Sequence, residues 1–220
     1  GASMYSFYLP VWKGVNPDTG LGEFWVDPED TSKGVTNYYT DAGSTIVGKA
    51  VPDVIGGMTN TFVLADGLVD LSFLISWQFG ASLFDYPGYF THSDGFRAAS
   101  MNAAVDAADY WTPENTDAYY PAPNWNKWVN RETSTRYLQD ASYMRLKNIT
   151  LGYNVPQSFL NKLGINKLRL YVTGENLFTW TKYSGLDPEI PASNGSVMKT
   201  AGPGLYPSVR KFMFGLNLTF

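Results

Sequence analysis

The stretch whose reading decides the fold is SVRKFMFGLNLTF, residues 208–220. Phe212, Phe214, Leu216, Leu218 and Phe220 fall on one side of an extended strand. Lys211, Met213, Gly215, Asn217 and Thr219 fall on the other, because side chains alternate along a β-strand. A helix would mix the two sets. An oily face of this length beside a polar one suits a strand with lipid on one side and a polar lumen on the other.

The same alternation recurs upstream. In residues 166–181, Leu168, Leu170, Val172, Phe178 and Trp180 point one way, and Lys167, Arg169, Tyr171, Thr173, Glu175 and Thr179 the other. Asn176 falls on the apolar side, which calls for an irregularity, with Gly174 a candidate bulge. Residues 139–155 change phase: Met144 and Leu146 have one parity, Ile149, Leu151 and Tyr153 the other. A β-bulge near Lys147 and Asn148 would put all of them on one side. In residues 68–84, Val69, Leu71, Phe73, Ile75, Trp77 and Phe79 oppose Asp70, Ser72, Ser76, Gln78 and Ser82, with Leu74 the exception. Residues 54–64 place Met58, Phe62 and Leu64 on one face and end in a tight turn at Ala65, Asp66 and Gly67. Residues 4–12 align Tyr5, Phe7, Leu9 and Val11, with Pro10 confined to an edge, an end or a bulge. The expectation is an all-β chain of about six antiparallel strands.

The connections carry the next step. Residues 13–52, 85–136 and 182–207 are long and rich in turn formers, whereas 65–67 and 156–164 are short. A short hairpin is allowed within 13–52, a short helix within 95–110 and a helical turn within 156–164. Both short connections follow strands of the same direction, so the long ones gather at one end of the sheet. Transmembrane barrels have long extracellular loops and short periplasmic turns. Turning the polar face of 166–181 outward would put Lys167, Arg169 and Glu175 into hydrocarbon, at about 2–4 kcal/mol for each basic residue at mid-bilayer. The apolar face therefore looks outward. Trp77, Phe79, Phe178, Trp180 and Phe212 would form one aromatic girdle, Tyr153 and Phe220 the other. The competing reading is a secreted, soluble β-sandwich carbohydrate-binding module, whose strands also alternate but average only about 5–6 residues.

Composition narrows the function. The chain has 15 Tyr, 13 Phe, 7 Trp and 21 Gly, with 16% charged residues against a usual value of about 25%. A net charge of −4 gives no basic footprint for nucleic acid. The absence of cysteine excludes thiolate metal sites, disulfides and cysteine nucleophiles. No apolar run is long enough for a transmembrane helix, which leaves barrel strands open because they alternate. The first residues, GASMYSFYLPVW, lack a secretory signal and read as a mature or truncated piece.

No catalytic constellation emerges, and neither enzymatic activity nor a cofactor or metal is expected. His92, the single histidine, reads as a loop residue. Asp187 and Glu189 in GLDPE suggest either a turn or a calcium site. Gly56 and Gly57 make no phosphate loop, since no helix follows. The aromatic residues Tyr86, Tyr89, Tyr110, Trp111, Tyr119, Tyr120, Trp125 and Trp128 crowd the second long loop. Flat rings there serve packing, a protein lid or a substrate. Arg169, Tyr171, Glu175 and Lys211 are expected to face the lumen.

The segments LQDASYMRLKNITLGYNVPQSFLNKLGINKLRLYVTGENLFTWTKYSGLDPEI (138–190) and YPSVRKFMFGLNLTF (206–220) closely resemble the C-terminal end of SusC/RagA-type TonB-linked outer-membrane transporters of Bacteroidetes. VWKGVNPDTG (11–20), VPDVIGGMTNTF (51–62) and WTPENTDAYYP (111–121) are similar to preceding parts of the same region, so the resemblance covers essentially residues 1–220. It implies a large 22-stranded barrel in the bacterial outer membrane, with a plug and a TonB box outside this stretch. It also implies import of glycans or peptides beneath a SusD-like surface lipoprotein, driven through TonB. Tyr86, Tyr89, Trp111, Tyr119, Tyr120, Trp125 and Trp128 then become candidates for substrate or lid contact, and Phe220 for the C-terminal assembly signal. The expected partners are the remainder of the barrel and plug, the lipoprotein lid, TonB, the substrate and outer-membrane lipid. About six strands cannot close a barrel of that size, so the chain needs completion by further strands.

Overall fold

The phase change in the long strand around Lys147 is a bulge. The computed structural model describes residues 1–96, 101–124, 132–189 and 206–220. In it, β-strand Tyr143–Asn154 pairs antiparallel with Val69–Phe79: Leu146 opposes Ile75, Asn148 opposes Leu74 and Ile149 opposes Phe73. The extra residue puts Met144, Leu146, Ile149, Leu151 and Tyr153 on one face with Val69, Leu71, Phe73, Ile75 and Trp77.

Twelve strands are present among the described residues. In chain order they are β1 Ser6–Pro10, β2 Trp12–Val15, β3 Gly22–Trp25, β4 Val35–Thr36, β5 Ser44–Lys49, β6 Val54–Leu64, β7 Val69–Phe79, β8 Ser82–Phe84, β9 Leu138–Asp140, β10 Tyr143–Asn154, β11 Lys167–Thr181 and β12 Lys211–Thr219. They fall into two compact units.

One unit, Pro52–Gly80, Ala141–Glu189 and Tyr206–Phe220, holds a five-stranded antiparallel sheet in the order β12, β11, β10, β7, β6. The four longer strands, β6, β7, β10 and β11, run 11 to 15 residues. That meets or exceeds the roughly 9–11 residues a tilted strand needs to cross a bilayer. Its register places Leu64, Val69, Tyr153, Lys167 and Thr219 at one end of the sheet. The two short connections lie at that end. One is the turn Ala65–Gly67, with Ala65 and Asp66 at positive φ. The other carries the short helix Gln157–Leu160 and a further turn Asn161–Leu163, as the spacing allowed. The long connections leave from the opposite end. The apolar face is uncovered: Phe214 is 85% exposed, Phe212 67% and Leu216 62%. A β-sandwich would bury these side chains, since its inner faces interdigitate.

β11 carries its own irregularity, two positions beyond Gly174. Leu146 opposes Phe178 and Asn148 opposes Glu175, with Asn176 between them at φ +53. Asparagine tolerates this left-handed conformation. Its side-chain amide donates to the Val209 carbonyl at 3.2 Å.

The other unit includes Gly1–Val51 and Ala81–Asp140. It corrects three expectations. The strand expected over residues 4–12 does not join the large sheet, which therefore holds five strands, not six. β1 instead pairs with β5, and Phe7 and Leu9 are buried with Phe84 and Tyr137. A strand of five residues is about 17 Å long, too short to cross a bilayer. Residues 13–52 are not a loop, because β2, β3 and β4 form a small sheet around the fully buried Phe24. The strand expected over 68–84 breaks at Gly80, at φ +82, and β8 turns away to pair with β9. An additional α-helix lies at Tyr86–Thr91, upstream of the stretch 95–110, in which the described residues include a short 3-10 helix at Val105–Ala108. Asp85 caps the α-helix, its Oδ1 accepting from the Gly88 N–H at 3.0 Å, and Pro87 sits in the first turn, where a missing N–H is harmless.

Candidate functional site

The polar face of the five-stranded sheet is built from the alternate positions of the strands just described. Many of its groups pair with one another, in three clusters. Nearest the short turns, Arg169 of β11 donates to Asp70 of β7, Nη2 to Oδ2 at 2.5 Å and Nε to Oδ1 at 3.0 Å. These strands are not neighbours, and the pair crosses β10 at Gly152. The Arg169 guanidinium also lies 5.1 Å from the Tyr171 ring centre. At mid-strand the Thr150 and Thr173 hydroxyls meet at 2.9 Å, and Lys211 pairs with Glu175 at 3.6 Å. Arg169, Tyr171, Glu175 and Lys211 thus share one face, on which the register also places Thr150, Met213 and Asn217.

The third cluster was not foreseen as a unit. Arg145 of β10 is only 2% exposed. Its Nε donates to Thr179 Oγ1 at 2.9 Å, its Nη2 to Asp187 Oδ1 at 2.5 Å and its Nη1 to Glu189 Oε2 at 2.8 Å. Lys147 Nζ donates to both Glu189 oxygens, at 2.5 and 2.7 Å. Asp187 accepts in addition from the backbone N–H groups of Glu189 and Ser208, each at 2.9 Å. Burial by itself raises the Asp187 pKa. The Arg145 hydrogen bonds and the two backbone N–H donors outweigh it and hold this carboxyl below its ordinary value. Asp187 and Glu189 thus pair with Arg145 and Lys147 in a salt-bridged turn. In this arrangement the carboxylate oxygens that a cation would use accept from guanidinium and ammonium donors. No group of three or more candidate metal ligands occurs among the described residues.

The loop aromatics belong to the other unit and have different surroundings. Tyr89 packs on the Phe7, Leu9, Phe84 and Tyr137 core. Tyr86 stacks on Tyr89 with ring centres 6.0 Å apart. Trp111 lies over Gly20 and donates from Nε1 to the Pro17 carbonyl at 2.8 Å. Tyr120 stacks on His92 at 5.2 Å and donates to Asp106 Oδ2 at 3.0 Å, while His92 Nε2 meets Asp106 Oδ1 at 2.9 Å. The hydrogen bond with His92 lowers the Asp106 pKa, and burial, followed by the Asp106 bond, raises that of Tyr120. His92 is thus a structural partner within this loop. Tyr119 stands 63% exposed against the edge of Tyr120. Beneath them Arg136 and Asp94 form a buried two-pronged pair, with contacts of 2.5 and 2.7 Å. Trp125 and Trp128 lie outside the described residues.

No family model matches the chain. Among curated proteins, it is 31% identical over 240 aligned positions to TonB-dependent receptor P3 of Formosa agariphila, an alignment covering 100% of the chain and 22% of the receptor. The chain belongs to the SusC/RagA-type TonB-dependent receptors. It is 36% identical over 89 positions to TonB-dependent receptor SusC of Bacteroides thetaiotaomicron, covering 40% of the chain and 8% of that receptor. Its fold matches the solved structure of the RagAB peptide transporter with a TM-score of 0.79 and 26% identity, over 98% of the chain and 23% of the solved one. The chain thus spans about a fifth of the length of the receptor P3 that it matches throughout. Its relatives are receptors and transporters, not enzymes.

Proposed function

We propose that residues 1–220 form the C-terminal segment of the β-barrel of a SusC-like TonB-dependent importer in the bacterial outer membrane. The observation that carries this reading is the two-faced sheet of β6, β7, β10, β11 and β12. One side is apolar and exposed; the other is polar and internally ion-paired. Hydrocarbon accepts the first, and a water-filled lumen accepts the second. Trp77, Phe79, Phe178 and Trp180 then sit at the extracellular rim, and Tyr153 and Phe220 at the periplasmic rim.

In this reading the importer takes up glycans or peptides with a SusD-like lipoprotein, energised by TonB, and the remaining strands and the plug complete the barrel. Similarity to a peptide transporter favours peptides. Tyr86 and Tyr119, exposed on their unit, are the aromatic residues we assign to contact with lid or substrate. Tyr89, Trp111 and Tyr120 support them from below, and Phe220 is read by the assembly machinery. Arg169, Tyr171, Glu175 and Lys211 face the lumen or the plug.

Fractionation of native cells tests the assignment. Peptides of this segment are expected in the detergent-extracted outer membrane, on a polypeptide several times longer, co-purifying with a surface lipoprotein. A native polypeptide of about this length, soluble without detergent, would overturn it.

A further inference from the structure

We infer that Arg145 latches the Lys182–Glu189 stretch onto the inner wall of the barrel, so that the first part of this loop is a fixed constriction of the passage and not an external loop. The inference rests on the proposed barrel orientation and names a positioning role within it. Residues that leave the loop end of a strand have no need to turn back over the sheet. Here they do: Asp187 and Tyr183 are buried, and the turn is gripped by a guanidinium on β10, one strand beyond the β11 strand from which it departs. The grip is polyvalent. Arg145 engages Thr179, Asp187 and Glu189 together, and Lys147, set at the bulge of β10, holds the second carboxylate. Asp187 also binds the Ser208 N–H, which ties the return of the loop to the same point.

The cluster has two positive and two negative groups, so it closes on itself without net charge. A planar guanidinium fork with a carboxylate is the geometry that fixes orientation, unlike a lysine point charge. Leu186, at the tip of the turn, is 79% exposed beside the buried Asp187.

The test uses the full-length receptor in outer membranes, with cysteine placed at Leu186 and, as an independent control of orientation, at Phe214. Labelling from outside is compared between a small membrane-impermeant maleimide and one bearing a bulky polyethylene glycol chain. The expected result is that Leu186→Cys reacts with the small reagent and excludes the bulky one, and that this discrimination is lost when Arg145→Gln or Asp187→Asn is added. Phe214→Cys reacts with neither, since lipid covers it. Asp187→Asn is close to isosteric and serves where Arg145→Gln fails to assemble; the heat-modifiable mobility of the folded barrel identifies such failure. Equal reaction of Leu186→Cys with both reagents in the parent overturns the latch. So does unchanged size discrimination in an assembled Asp187→Asn variant. Ready labelling of Phe214→Cys instead overturns the membrane orientation, which keeps the two failures distinct.

Discussion

Asp70 and Arg169 stand on strands that never touch, yet their side chains form a two-pronged salt bridge lying flat across β10. Gly152 makes this possible. A Cβ there would sit 2.4 Å from Asp70 Oδ1 and 2.5 Å from Arg169 Nη2. Next to it Tyr171 lies across β12 at Gly215, where a Cβ would fall 2.3 Å from the ring carbon Cζ. Two glycines thus let an arginine and a tyrosine lie flat along the sheet.

Gly152→Ala displaces only the ends of flexible side chains, so the strand should survive with the pair opened. The expected loss is below about 1 kcal/mol, as for a partly solvated ion pair. Gly215→Ala must move an aromatic ring, and an overpacked site of this kind costs about 1–3 kcal/mol. Denaturant unfolding of the full-length receptor in detergent should rank Gly215→Ala as the more damaging. The reverse order would contradict this geometry.

The two faces of β12 should respond oppositely to charge. Leu216→Arg puts a cation into the apolar side and is expected to cost about 2–4 kcal/mol if it sits near mid-bilayer. Asn217→Arg, one residue on, enters the polar side beside Arg169 and should lower the yield of folded protein far less. Comparing the folded fraction of the two variants in outer membranes checks the assignment. Equal yields would remove it.

The Asp94–Arg136 pair is nearly sealed from solvent, with side chains 4% and 2% exposed. Arg136 also stands 4.9 Å from the Trp12 ring centre. Removing the carboxylate leaves a buried cation undercompensated, so Asp94→Ala should destabilise its unit by about 3–5 kcal/mol. Protease susceptibility of the loops in the intact receptor would report it. Asp106→Ala, at an exposed carboxylate, should leave susceptibility close to that of the parent.

Acid should reach the Asp187 latch late. A carboxyl whose folded pKa is depressed contributes stability in full above its unfolded value near ~3.9, and the contribution fades as pH falls through the lowered folded value. A spin label at Leu186 is therefore expected to keep one mobility from about pH 7 to about pH 5. With Asp187→Asn the label should be mobile throughout. Loosening of the parent within that range would show that Asp187 does not control the turn.

What local sequence could determine, it did determine: the two faces of each long strand, the tight turn at Ala65–Gly67 and the bulge at Lys147–Asn148. Each follows from alternation, since a single extra residue reverses the parity of everything beyond it. The resemblance likewise rested on contiguous blocks, 138–190 and 206–220, and the full-length relative bears it out.

Tertiary structure alone decided the rest. Residues 6–10 alternate as a membrane strand would, but Phe7 and Leu9 go to a compact core, because the partners Phe84 and Tyr137 are brought in from far along the chain. The helix at Tyr86–Thr91 is the exception, since its signal, the Asp85 cap and Pro87, is local. Asp187 and Glu189 looked like a turn or a cation site, since nothing beside them in sequence could show that a guanidinium 42 residues upstream occupies their oxygens. Alternation is a property of neighbours and is written locally, whereas a buried ion pair depends on which strands lie side by side, and that is fixed only when the sheet forms.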